Sequence, residues 1–478
     1  MNKKQSMTDG EWNMGKTIRI EHKSAGPGMK YLGWSGRGWA DGGPLSAGPL
    51  NSQAPSWDEA GKEIGINMVR MGFTMKHFVA AENNSNHSLL ESIKKGMENK
   101  QVSWAKSQHT SYSDCLDRCT DLGWKMLVCI NPSLNQDWEP HLITPSSEFL
   151  NLWESFCFHL ARYLDQHWPQ TADFFEITNE PDIGYFDGET SLPGYKGIRF
   201  GISPSQYLML LERAHQGIKR AAPHAQIIGP SLSRWNKKWV QKILQKGPSF
   251  LDGLSYHNVR GDLKDARVIT KARSLLSDVR SPSAHRIFNS EWAWWPHHDT
   301  HDVQTALRVA RILSLQAKAG AFASLYLGPA QPRDFKKGLG VLKFDPHNPD
   351  SIEKTTTFYA FQIMAQGVLG GRRLEVKNPF KTFSSLALYK DGQFIVTLFN
   401  PGKKHVKEVS LSWDKTLQVT PGSPMKLRTF HPKRFDYFKK TDYNAGFELN
   451  ILPYSITQVR VRGVFQNEQD RKNRPKNS

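Results

Sequence analysis

Residues 174–186 read FFEITNEPDIGYF. Phe174 to Thr178 form a short apolar run with one embedded glutamate. The run stops at Asn179-Glu180-Pro181-Asp182, a polar segment with the composition of a turn. A carboxylate is thus placed at the mouth of a strand, and Pro181 fixes the chain just after it. If Glu180 serves as an acid, a second carboxylate has to face it across a pocket, so the rest of the chain has to supply one.

Working outward, the same unit recurs: a short apolar run ending in turn residues, then a longer amphipathic stretch. The runs are 29–36 (MKYLGWSG), 66–73 (INMVRMGF), 125–133 (KMLVCINPS), 174–181 (FFEITNEP), 225–232 (AQIIGPSL), 251–258 (LDGLSYHN), 285–292 (HRIFNSEW) and 322–329 (FASLYLGP). Between them, residues 150–168, 204–223 and 302–320 carry apolar side chains at spacings of three and four, and 351–371 reads as a last helix closed by Gly370-Gly371. Eight strand–helix units predict parallel strands closed into a (β/α)8 TIM barrel over 29–371. After Gly371 the pattern changes to alternating apolar and polar residues broken by Asp-Gly and Pro-Gly, which predicts an appended antiparallel β-sandwich over 372–465. Within the N-terminal segment 1–28, KTIRIEH (16–22) alternates in the same way and is expected to add a strand to that sheet. The basic tail 466–478 is expected to be disordered.

Composition narrows the function. No run of about 18 apolar residues predicts a membrane span, and no apolar core follows the N-terminal lysines as in a secretory signal. The chain as given therefore reads as cytoplasmic, or as secreted if a signal has been removed. Cys115, Cys119, Cys129 and Cys157 lack zinc-type spacing and read as buried or helical thiols. The net charge is +18, of which residues 346–478 contribute 22 basic against 11 acidic side chains. Such a balance reads either as a solubilising surface or as attraction to an acidic polysaccharide or anionic membrane, while the scattered distribution and lack of a recognition motif argue against nucleic acid. His297-His298-Asp299-Thr300-His301-Asp302 reads as a polar loop; no metal and no cofactor is expected.

In a (β/α)8 barrel the strand ends converge on one face, where catalytic groups sit. Glu180 ends the fourth run. Glu291, 111 residues later, takes the equivalent place on the seventh, nearly opposite around the ring. Two carboxylates separated by about 5 Å suit glycoside hydrolysis with retention, whereas a gap nearer about 9 Å suits inversion. Asn179-Glu180-Pro181 after the fourth strand, with Glu291 after the seventh, resembles glycoside hydrolase clan A, the "4/7" retaining barrels. Among its families the layout is most similar to family 39, with families 5 and 30 as rivals. The resemblance implies Glu180 as acid/base, Glu291 as nucleophile, and an oligo- or polysaccharide substrate. A non-catalytic carbohydrate-binding barrel is the alternative.

Further residues follow from the same resemblance. Asn179 is expected to bond a sugar 2-hydroxyl, or else to make an Asx turn. Arg70, inside the second run, matches an arginine placed beneath the nucleophile; a purely structural ion pair is the other reading. His257 matches a sixth-strand histidine, but residue 259 is valine where a tyrosine is usual, so Tyr256 or Tyr326 would have to substitute. Trp34 and Trp39 after the first run, and Trp292, Trp294 and Trp295 beside Glu291, are expected either to stack on sugar rings or to pack within loops.

Overall fold

The computed structural model describes residues 17–35, 55–78, 86–99, 111–132, 145–182, 202–258, 265–278, 286–293, 302–328, 330–333, 340–345, 348–381, 383–419, 422–431, 434–442 and 447–466. Trp39, Trp294, Trp295, the segment 297–301 and the tail 467–478 lie outside them. The chain divides into two compact units, one spanning 29–369 and the other combining residues up to 28 with those from 370 onward.

In chain order, β1 (Thr17–Pro27) precedes β2 (Tyr31–Ser35), β3 (Met68–Thr74), β4 (Lys125–Asn131), β5 (Phe174–Ile177), β6 (Gln226–Leu232), β7 (Gly253–Asn258), β8 (Ile287–Trp292) and β9 (Ala323–Leu327). Strands β2 to β9 pair in parallel with their sequence neighbours, and β2 pairs with β9 to close the ring. All eight runs of the sequence are therefore barrel strands, the fourth being β5 and the seventh β8. Their near-continuous apolar character has a physical cause: each is covered by helices on one side and by the barrel interior on the other. Gly33 permits the close approach of β2 to β3, since a Cβ there would lie 1.7 Å from the Met68 carbonyl oxygen.

The surrounding helices are α1 (Pro55–Ile64), α2 (Asn86–Asn99), α3 (Tyr112–Asp121), α4 (Ser147–His167), α5 (Pro204–Ala221), α6 (Lys237–Lys246), α7 (Asp265–Asp278), α8 (Val303–Ala319) and α9 (Thr356–Val368). Their starts follow local chemistry. Ser203 and Gln206 form a capping box with Pro204 in the first turn of α5, and Asp302 caps α8, which ends at Gly320 with φ 82°. The last helix starts later than its periodicity predicts. Residues 351–354 belong instead to β12 (Asn348–Lys354), which with β10 (Ala330–Pro332) and β11 (Leu342–Asp345) makes a small sheet not anticipated from the sequence.

Inside the barrel, Tyr31, Met68, Leu127, Phe174, Ile228, Phe288, Ala323 and Leu325 pack as an apolar floor. Burying each large side chain contributes about 1.5–3 kcal/mol. Strand periodicity then places Arg70, Cys129 and Glu176, each two residues beyond a floor residue, in the next interior layer.

The second unit has its own core, which includes Ile18, Ile20, Phe394, Val396, Met425, Val459 and Val461. Its strands are β1, β13 (Arg372–Lys377), β14 (Ser384–Lys390), β15 (Gln393–Asn400), β16 (Val406–Trp413), β17 (Leu417–Val419), β18 (Pro424–His431), β19 (Arg434–Asp442), β20 (Glu448–Ile451) and β21 (Ser455–Phe465). The order β19-β18-β21-β15-β14-β13-β1-β16-β20 is antiparallel except for the parallel pair β1–β16. The N-terminal strand does join this sheet. Asp391 and Gly392, with φ of 51° and 72°, make the two-residue turn between β14 and β15.

Candidate active site

The turn after β5 is strained and heavily supported. Thr178 and Glu180 have φ of 63° and 49°, in the left-handed region that costs about 1–3 kcal/mol per non-glycine residue. Thr178 N donates to the Ile130 carbonyl at 2.8 Å, Asn179 N to Asn131 Oδ1 at 2.9 Å, and Glu180 N to the Ser231 carbonyl at 3.2 Å. Ser231, itself at φ 46°, donates its hydroxyl to the Thr178 carbonyl at 2.6 Å and its N–H to Ser255 Oγ at 3.0 Å. Ser231 sits where β6 carries an extra residue relative to β7. Two neighbouring strands thus clamp the turn that delivers Asn179 and Glu180.

Glu291 reaches the interior by a similar device. Tyr256 lies opposite Asn289, but the next residue, His257, lies opposite Glu291, so β8 has one residue more than β7 at this level. A bulge of this kind re-aims side chains. Without it, Ser290 would share the parity of the floor residue Phe288, and Glu291 would point toward the helices.

The two carboxylates meet at the centre. Oxygens of Glu180 and Glu291 and a ring nitrogen of His257 all lie within 4.8 Å of one another. Glu291 is 1 % exposed; its Oε2 accepts from Arg70 Nη1 at 3.1 Å and from Ser35 Oγ at 3.4 Å. Arg70 also donates from Nε to Glu176 Oε2 at 2.6 Å, from Nη2 to Asn179 Oδ1 at 2.8 Å, and from Nη2 to Cys129 Sγ at 3.2 Å. Burial opposes the charge of this guanidinium, but the carboxylates of Glu176 and Glu291 outweigh that and hold its pKa above the ordinary arginine value. Burial in turn pushes the Cys129 thiol up, so it stays protonated beneath the arginine.

Glu180 is more open, with its side chain 13 % exposed, and its Oε1 lies 2.9 Å from His257 Nδ1. Among the described residues, the buried His257 Nε2 has no hydrogen-bond partner. An orphaned acceptor costs less than an orphaned donor, which favours the tautomer with the proton on Nδ1, donated to Glu180. Asp182 lies beside this group. Its two oxygens accept from Ser233 N and Oγ, both at 2.9 Å, and burial raises its carboxyl above the usual range against the pull of those bonds. Among the described residues, Glu180, His257 and Glu291 also form the one His/carboxylate group with the donor types and spacing to hold a metal ion.

The structure therefore gathers Arg70, Asn179, Glu180, His257 and Glu291 into one network. It places the aromatic candidates elsewhere. Trp34 alternates with Ser35 and stacks on Phe361 of α9 at 5.6 Å; Trp292 stacks on the same ring at 6.3 Å, and Tyr326 meets it edge-on at 5.7 Å. Trp292 Nε1 donates to Ser324 Oγ, which donates to Gln316 of α8. These three rings fill the layer between barrel and helices, which corrects the expectation that they line sugar subsites. Tyr256 packs edge-on against Trp235, at 6.4 Å. Ser35, Asn131 and Glu176 belong to the network but were not singled out in the sequence. For Glu176 the signal was present, since it has the parity of Phe174.

No family profile and no curated protein matches this chain. Solved structures do. A GH30 endoxylanase from Clostridium papyrosolvens C71 is 11 % identical with a TM-score of 0.62, covering 94 % of this chain and 100 % of its own. A glucosidase from Croceicoccus marinus is 11 % identical with a TM-score of 0.64, covering 95 % and 100 %. An α-L-arabinofuranosidase from Thermotoga maritima, solved with arabinose, is 13 % identical with a TM-score of 0.63, covering 93 % and 99 %. At these identities the likeness establishes the fold alone, a (β/α)8 barrel with an appended β domain. Family 30, expected as a rival, is named among these structures; family 39 is not confirmed by them.

Proposed function

We propose that the protein is a retaining glycosidase acting on an oligo- or polysaccharide, with Glu180 as acid/base and Glu291 as nucleophile. The observation that carries this reading is the approach of the two carboxylates to within 4.8 Å at the ends of β5 and β8. An approach this close suits the about 5–5.5 Å of retaining enzymes better than the about 6.5–9.5 Å that leaves room for a water in inversion. The endoxylanase, glucosidase and arabinofuranosidase that share the fold support the same reaction class.

In the first step a Glu291 oxygen attacks the anomeric carbon, the bond from that carbon to the leaving oxygen breaks, and Glu180 gives that oxygen its proton. Arg70 and Ser35 hold Oε2 of Glu291, which orients the carboxylate for attack through Oε1. In the second step Glu180 takes a proton from water as it displaces Glu291 and releases the sugar. In this reading Asn179, whose Oδ1 accepts from Arg70, bonds the sugar 2-hydroxyl as the oxocarbenium character grows. A non-catalytic sugar-binding barrel has no use for two carboxylates held in different electrostatic settings. The net charge of +18 makes acidic polysaccharides the first substrates to test.

The test is a panel of aryl glycosides and polysaccharides with wild type, Glu180→Ala and Glu291→Ala. Both substitutions are expected to cripple turnover, and azide to rescue Glu180→Ala partly on substrates with good leaving groups. Full activity in either variant refutes the assignment.

A further inference from the structure

Glu176 is a third carboxylate at the centre of the barrel. It is fully buried, and its Oε2 lies closer to Arg70 (2.6 Å) than does the carboxylate of Glu291 (3.1 Å). Two residues short of the Thr178 turn, it sits one interior layer below Asn179 and Glu180, out of reach of a sugar held between the carboxylates. Two anions therefore share one cation. Resting on the glycosidase reading, we propose that Glu176 is a positioning residue that keeps Arg70 compensated while Glu291 is esterified, and leaves the site with a net negative charge for the oxocarbenium-like transition state.

The reasoning is a charge inventory. Before reaction, Arg70 neutralises one of two carboxylates, so one negative charge remains to face the positive charge growing at the anomeric carbon. When Glu291 attacks, its charge is consumed in the new ester bond. If Glu291 were the sole anion on Arg70, the intermediate would strand a buried guanidinium next to a carbon that must become cationic again in the second step. A buried charge without its partner is strongly destabilising. Glu176 prevents this in both steps, because its own bond to Nε does not change. The same short bond fixes the guanidinium plane, so that Nη1 reaches Glu291 and Nη2 reaches Asn179.

Glu176→Gln keeps the shape and removes the charge. On p-nitrophenyl and 2,4-dinitrophenyl glycosides of a sugar that the wild type hydrolyses, kcat is expected to fall about 100-fold with little change in KM, as for other lost electrostatic stabilisers of a transition state. The decisive readout is inhibition. A cationic iminosugar should lose a comparable factor in affinity, while the neutral lactam of the same sugar keeps its own. Glu176→Asp, which retains the charge, should keep the preference for the cation even if its stability falls. Wild-type turnover with an unaffected Glu176→Gln, or equal weakening of both inhibitors, overturns this inference alone. A wild type that hydrolyses no glycoside refutes the glycosidase reading and the inference with it.

Discussion

Arg70→Met is the perturbation whose cost the structure lets one work out. Arg70, Glu176 and Glu291 are 4 %, 0 % and 1 % exposed, so solvent screens none of them. At an effective dielectric of about 20, two unit charges about 4 Å apart interact by about 4 kcal/mol. Removing one partner of a buried pair costs about 3–5 kcal/mol, because the other is left uncompensated. Here two carboxylates lose their cation together, and Asn179 loses its donor, so the loss should fall at the upper end, about 5 kcal/mol. Urea unfolding at neutral pH followed by tryptophan fluorescence measures it. Glu176→Met added to Arg70→Met should recover part of the loss, since an apolar replacement leaves one stranded charge fewer. A loss below about 1 kcal/mol, the range of exposed pairs, would refute the view that these charges are coupled and desolvated.

Two further outcomes follow from the same geometry. Trp292→Ala should lower stability by about 3–5 kcal/mol, as for other large aromatic deletions, with little change in KM; a sharp rise in KM with unaltered unfolding would return this ring to the substrate site. Asp182 has a folded pKa raised by burial, so its contribution to stability is complete below the ordinary carboxylate range and is lost as pH rises through the folded value. Asp182→Asn removes that titration, and the stability difference between wild type and variant should become less favourable to wild type with rising pH. A difference that is flat with pH, measured by denaturant midpoints, contradicts the burial argument.

What the sequence disclosed, and what it withheld, follows from strand physics. Parallel strands covered on both faces appear as compact apolar runs, so all eight could be found, and their ends located Glu180 and Glu291. The same runs hide which side chains point inward, because both faces are apolar. Trp34 and Trp292 were therefore open to either reading, and the helix residue Phe361 decides between them. Glu176 passed as part of a strand although its parity with Phe174 puts it inside. Parity would have failed for Glu291, which faces inward through the extra residue of β8. The left-handed φ values of Thr178, Glu180 and Ser231 have no signature in residue type, since glycine occupies none of these positions. In the second unit the alternating pattern announced the strands, and the Asp391-Gly392 turn one hairpin, but the parallel pairing of β1 with β16 joins segments nearly 400 residues apart and leaves no local trace.

The central claim is that Glu180 and Glu291 act as a retaining pair, and the stereochemistry of the first product tests it most directly. Proton NMR of an aryl glycoside during the earliest turnover, before mutarotation, reports the anomeric configuration of the released sugar. The approach of the carboxylates to within 4.8 Å predicts the configuration of the substrate. First release of the opposite anomer would contradict it.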